Sequence, residues 1–225
     1  MNTQFQLYLK ILDRDLTDLE LNPNFEDGVG SLYRDANVLV LLALAIGLSP
    51  EDSELKAAAP ALVAAAQEVA QVTDLGSAKK SVEALRAACS AQGDASQLTW
   101  TKLAHLSPLM KKGLPNLTTE IKRLARNEKT LERSGNLEKV VGDAATLAVI
   151  ALGVRPNVEE TLSPNEDELW AQYCDQLYTA SYKMYQASKA LQSTEGKFDD
   201  FSAAFKEVDA TCNTTCHEKF GGSSR

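Results

Sequence analysis

Apolar residues recur every three or four positions along most of the chain, and stretches of two-residue alternation do not stand out, so the pattern predicts helices rather than sheet. A first helix over about 4–19 takes its apolar face from Leu7, Leu9, Ile11, Leu12, Leu16 and Leu19, while Asp13, Arg14 and Asp15 mark its wet side. Asn22-Pro23-Asn24 and Gly28-Val29-Gly30 read as a loop. The second helix, about 31–46, carries the most apolar run, Val38 to Leu48, and is expected to end on Gly47 as a cap. That run falls short of the roughly 20 residues a bilayer span takes, so a buried core helix is expected. Ser49, Pro50, Glu51 and Asp52 read as the start of a third helix, kinked at Pro60. A fourth, about 77–91, is led by Ala78, Val82, Leu85 and Cys89.

Four amphipathic helices with short links predict a four-helix bundle. The small polar stretch from Gln92 to Ser96 suggests a boundary, with domains 1–95 and 96–225. The plan then repeats. Ala43-Leu44-Ala45-Ile46-Gly47-Leu48 lines up with Val149-Ile150-Ala151-Leu152-Gly153-Val154, and Leu48-Ser49-Pro50 with Leu162-Ser163-Pro164. A helix region from Leu106 is interrupted at Gly113-Leu114-Pro115; further helices are expected over about 136–152 and 164–191, the latter with Glu166 in a capping box, and a last one from Lys197. Ala78, Val82, Leu85 and Cys89 fall on Phe201, Phe205, Val208 and Cys212. The fold class expected is all-α: two tandem up-down four-helix bundles.

Composition supports helix: alanine and leucine abound, with 12 glycines and 7 prolines in 225 residues. A net charge of −8 argues against nucleic acid or an anionic membrane as partner, since phosphates need clustered Lys and Arg. Four cysteines at this length do not make a disulfide scaffold.

The chemistry concentrates at Cys212-Asn213-Thr214-Thr215-Cys216-His217. Two thiols followed by an imidazole suit covalent attachment of haem c: the sulfurs add to the vinyl groups and the histidine binds iron. The common form has two residues between the cysteines; here there are three. On a straight α-helix Cys212 and Cys216 lie about 40° apart, but His217 falls about 140° from Cys212. A bulge or loosened last turn would absorb the extra residue. A structural disulfide and a zinc site completed by His105 are the alternatives for these side chains. In the first half Cys89 stands where Cys212 does, without a second cysteine or a histidine after it, so that half is expected to lack haem.

The segment Phe198 to Cys212, continued by Cys216-His217-Glu218-Lys219-Phe220, resembles the last helix of the cytochrome c′ family. The resemblance implies that Cys212 and Cys216 form thioethers and His217 is the proximal iron ligand. It also implies a distal residue from the first helix of that bundle, a region holding His105, Leu106, Leu109 and Met110. Met110 would make a six-coordinate electron carrier; Leu106 or Leu109 would instead cover a face open to a small gas. Gly221 stands where the family often has a basic residue after the motif's Phe.

Bland readings stand beside these. Met110 also reads as an ordinary core side chain, His105 as a solvent-facing or locally bonded one, Cys174 as a small buried residue, and Trp170 with Tyr173, Tyr178, Tyr182 and Tyr185 as helix-packing aromatics. The expected protein is a mono-haem c-type cytochrome that transfers electrons to a redox partner protein, is not an enzyme, and has no membrane span. Its opening residues lack a signal peptide's basic start and apolar core. Haem attachment would make it periplasmic or otherwise exported. A haem-free helical interaction module is the reading from a different class.

Overall fold

The computed structural model describes residues 1–22, 24–212 and 217–220, with His217 and Glu218 by backbone alone. Among the described residues there is no strand: the chain is all-α. It divides into two compact units, Met1–Gly113 and Leu114–Arg225.

The first unit is built on α1 (Asn2–Leu21), α2 (Phe25–Leu48), α3 (Ala59–Val69) and α4 (Leu75–Ala88). Each packs on the next, and α4 returns to α1, which closes a four-helix bundle. The centre is α2, buried without a break from Asp35 to Leu44, as a helix apolar on all sides must be. By length and composition α2 could cross a bilayer, but 72% of its most apolar window is buried within this bundle. Its start is set by Asn24, whose side chain accepts the Glu26 N–H. The expected loop Gly28-Val29-Gly30 therefore lies inside the helix. Tertiary packing overrides the glycines' weak helix propensity there: Val29 and Leu32 are buried, and a Cβ at Gly28 would sit 2.8 Å from Leu19 Cδ1. Gly47 is not a cap either. The helix runs past it to Leu48, and a Cβ there would overlap Leu98 and lie 2.9 Å from Ala59 Cβ, so the glycine admits close packing. Ser49 accepts the Glu51 N–H in a local turn, but the third helix begins only at Ala59. Pro60 thus opens α3 rather than kinking it, since its missing N–H is harmless in a first turn.

Residues 96–113, assigned by composition to the second half, bond to the first. Gln67 Nε2 donates to Leu103 O (2.8 Å), and the His105 N–H donates to Asn37 Oδ1 (2.6 Å). The unit ends in a short helical turn, Leu106–Pro108, and a π-helical turn, Leu109–Gly113. This π turn stands where an interruption was expected. Pro115 offers no N–H to the turn before it, and wider winding accommodates that loss.

The second unit contains α5 (Leu114–Leu124), α6 (Asn136–Gly153), α7 (Asp167–Gln192) and α8 (Phe198–Asp209). The α6 helix packs between α5 and α7, and α8 packs on α7. Like α2, α6 is the central helix, buried from Gly142 to Ala151. The α7 helix begins at Asp167, later than Pro164, and Glu166 makes no side-chain cap. Its carboxylate pairs with Lys219 instead, at 2.8 Å. The Trp170 indole N–H donates to Val154 O at 3.1 Å and so ties α7 to the end of α6.

Candidate functional site

The last turn of α8 carries the motif's first cysteine. Phe201, Ala204, Val208 and Cys212 recur at helical spacing on the buried face, and Cys212 is 2% exposed. Helix α8 lies antiparallel to α7, bridged by Lys183 Nζ and Glu207 Oε2 at 2.9 Å. At Ala210–Cys212 the winding changes from α to π. In an α turn a residue bonds its fourth neighbour; in a π turn it bonds its fifth. Counted from Cys212, the fifth residue is His217. The chain therefore enters the motif in π rather than α winding, and the expected loosening between Cys212 and His217 falls outside the described residues. Asn213, Thr214, Thr215 and Cys216 lie outside the described residues, as does the His217 side chain.

From the motif's last residue onward, His217–Phe220 forms one helical turn. Phe220 is buried and packs edge-on against Trp170 (ring centroids 5.1 Å) and Tyr173 (5.7 Å). Together with the Lys219–Glu166 pair, this fixes the end of the motif to the start of α7. Both flanks of the six-residue motif are thus anchored on the same bundle, one by the α8 core face and one by an aromatic cluster.

Beside the π turn, Ala210, Thr211 and Glu207 line one wall of a groove of about 810 Å³. Its other wall is α7, with Ala171, Gln172, Asp175 and Lys183. Two ion pairs lie along it, Arg155 with Asp175 at 3.3 Å and Lys183 with Glu207.

The other candidates divide between the two units. Met110, half-buried in the π turn, and exposed His105 belong to the first unit, whereas Cys212 belongs to the second. Cys89, the first unit's counterpart of Cys212, is a half-buried free thiol at the end of α4, and burial pushes its pKa up. It is a weak nucleophile there. Cys174 is buried in α7. Among the described residues, no group of three or more His, Cys, Asp and Glu is placed to hold a metal ion.

The sequence reading passed over one cluster. Asp15, read as part of the wet face of α1, is buried against α2 beside Arg34 and Asp35. Its signal was its spacing: Phe5, Tyr8, Leu12, Asp15 and Leu19 form one stripe.

No family model, curated protein or solved structure matches this chain.

Proposed function

We propose that the second unit carries one covalently attached haem and that the protein is an exported mono-haem c-type cytochrome whose work is electron transfer. The π-helical winding at Ala210–Cys212 is the observation that carries this reading, because it suits the otherwise unfavourable spacing of Cys212, Cys216 and His217. The donor set also fits: two thiols for the vinyl groups and one imidazole for the iron. When bound, haem supplies a one-electron couple. The chain's part is to hold the attachment segment at both ends and to exclude water around it, which raises the influence of ligand and burial on the potential.

The assignment uses residues of the second unit alone. Cys212 and Cys216 provide the thioethers, His217 the proximal ligand, and Phe220 on Trp170 and Tyr173 the anchor that follows it. The first unit, with Cys89 and no motif, is a haem-less bundle.

Co-expression with haem-attachment machinery tests this. The expected product has the mass of the chain plus one haem and a haem c spectrum that survives acid–acetone extraction. Replacing both Cys212 and Cys216 by Ala abolishes the mass gain, and His217→Ala alters the spectrum. A colourless wild-type protein of unmodified mass would remove the proposal.

A further inference from the structure

We propose that Asp15, Arg34 and Asp35 form a proton-operated latch across the α1–α2 seam of the first unit, closed in mild acid and loosened near neutral pH. The geometry is that of two carboxylates competing for one buried cation. The side chains of Asp15 and Asp35 are each 3% exposed, and that of Arg34 is 14% exposed. Arg34 forks onto Asp35, with Nε at 2.7 Å from Oδ1 and Nη2 at 2.5 Å from Oδ2. The same Nη2 stands 4.0 Å from Asp15 Oδ2, beyond hydrogen-bond reach. That oxygen is buried and has no hydrogen-bond partner. The other oxygen of Asp15 accepts from Arg14 at 3.0 Å, but Arg14 is 63% exposed and is a screened partner.

An ionised Asp15 therefore leaves one buried, unsatisfied oxygen facing a second carboxylate, an arrangement that costs free energy. A protonated Asp15 removes the like charge and gains a proton that it can donate toward the neighbouring Asp35 carboxylate, leaving Arg34 to Asp35 alone. Burial, and then the neighbouring Asp35, push the Asp15 carboxyl up to about 6, against a smaller downward pull from Arg14. Among the described residues, no other element places a buried compensating charge there. On α1, buried Tyr8 lies within reach of Arg34, and Lys10 is exposed. On α4, Arg86 and Lys79 pair with Asp13 and Glu20, and Lys80 and Glu83 are exposed. On α3 the ionisable residue is Glu68, exposed; the π turn against Arg34 carries exposed Lys111 and Lys112.

The sign follows from proton binding. A carboxyl whose folded pKa lies above its unfolded value binds more protons when folded, so stability is greatest below the unfolded pKa and falls as pH rises through the folded one. The window is about pH 4 to 6. The test is hydrogen exchange of the full chain at about pH 4.5 and about pH 7.5, corrected for intrinsic rates and read on peptides of α1 and α2. Wild type is expected to lose protection there by roughly tenfold to thirtyfold at the higher pH. Asp15→Asn keeps the shape, cannot ionise, and is expected to remove that step and hold the protected level at both values. Asp143, buried in the second unit, titrates in both proteins, so the wild-type-minus-variant difference isolates the latch. An equal step in Asp15→Asn, or lower protection than wild type at pH 7.5, would overturn the proposal. Carbon-13 titration of the wild-type carboxyl keeps the idea testable if the variant fails to fold: a midpoint near 6 supports it, and one at or below 4 rejects it.

Discussion

Asp13 and Asp15 sit two positions apart on α1 and meet opposite fates. The Asp13 side chain is 45% exposed and pairs with Arg86 across the surface, while Asp15 is sealed into the seam with α2. Charge type alone placed both on the wet face; helical phase separates them, because Asp15 shares the stripe of Leu12 and Leu19. Backbone conformation makes a second residue-scale case. Thr194 closes α7 with φ 62°. Its N–H donates to Leu191 O, and the next two N–H groups both reach Ala190 O, the bonding of a Schellman cap. The left-handed conformation that cap needs is natural for glycine and strained for a β-branched residue. Thr194→Gly is expected to stabilise the second unit by about 1 kcal/mol, read as a higher urea midpoint with unchanged slope. Gly196 beside it should not tolerate the reverse change, since a Cβ there would lie 2.7 Å from Leu191 N.

At the scale of elements, helix existence was legible and helix limits were not. The 3.6-residue pattern located α1, α4, α6 and α8 to within a few residues, because each buries one stripe and exposes the rest. The errors came where glycine, proline or serine has a second use. The glycines of α2 serve close packing, Pro60 starts a helix, and Ser49 closes a turn without one. Glu166 was read by its distance from Ser163, yet a partner 53 positions along the chain, Lys219, takes its carboxylate. Sequence spacing could not show that pairing. For the candidate site, the residues and their spacing were readable, but the aromatic anchor that follows them was not, since it joins Phe220 to Trp170 across 50 residues. That anchor carries a prediction. Phe220→Ala removes a buried ring from two edge-on contacts and is expected to cost about 3 kcal/mol. Exchange protection should fall in α7 and α8 and stay unchanged in α1 to α4. Lys183→Ala, by contrast, breaks an exposed pair between the same two helices and should change stability by less than about 1 kcal/mol.

For the molecule as a whole, several carboxyl groups and the net charge pull the stability optimum toward mild acid. Asp15 and Asp143, each beside its unit's central helix or within it, have raised pKa values, chiefly through burial. Each favours the folded state at low pH and loses that contribution as pH rises above the ordinary carboxylate range. Asp74 and Asp94 cap helices, and Glu120 pairs with Arg123; these interactions lower their pKa values. Their contributions are present above the ordinary carboxylate range and are lost as pH falls through it. The two sets act in opposite directions. The overall charge acts in the same direction as the two buried carboxyls, since a chain at −8 near neutral pH with a pI of about 4.9 repels itself least at about that pH. Thermal midpoints are therefore expected to peak near pH 5 and to fall by several degrees toward pH 7.5, with Asp15 alone accounting for about 2 kcal/mol of the first unit's share. The double variant Asp15→Asn, Asp143→Asn should flatten this neutral limb and leave the acid limb in place, because the caps and the Glu120 pair are untouched. Calorimetry of both proteins across that range decides the matter: parallel curves would assign the pH dependence to self-repulsion of the surface, and convergence toward acid would assign it to the two buried carboxyls.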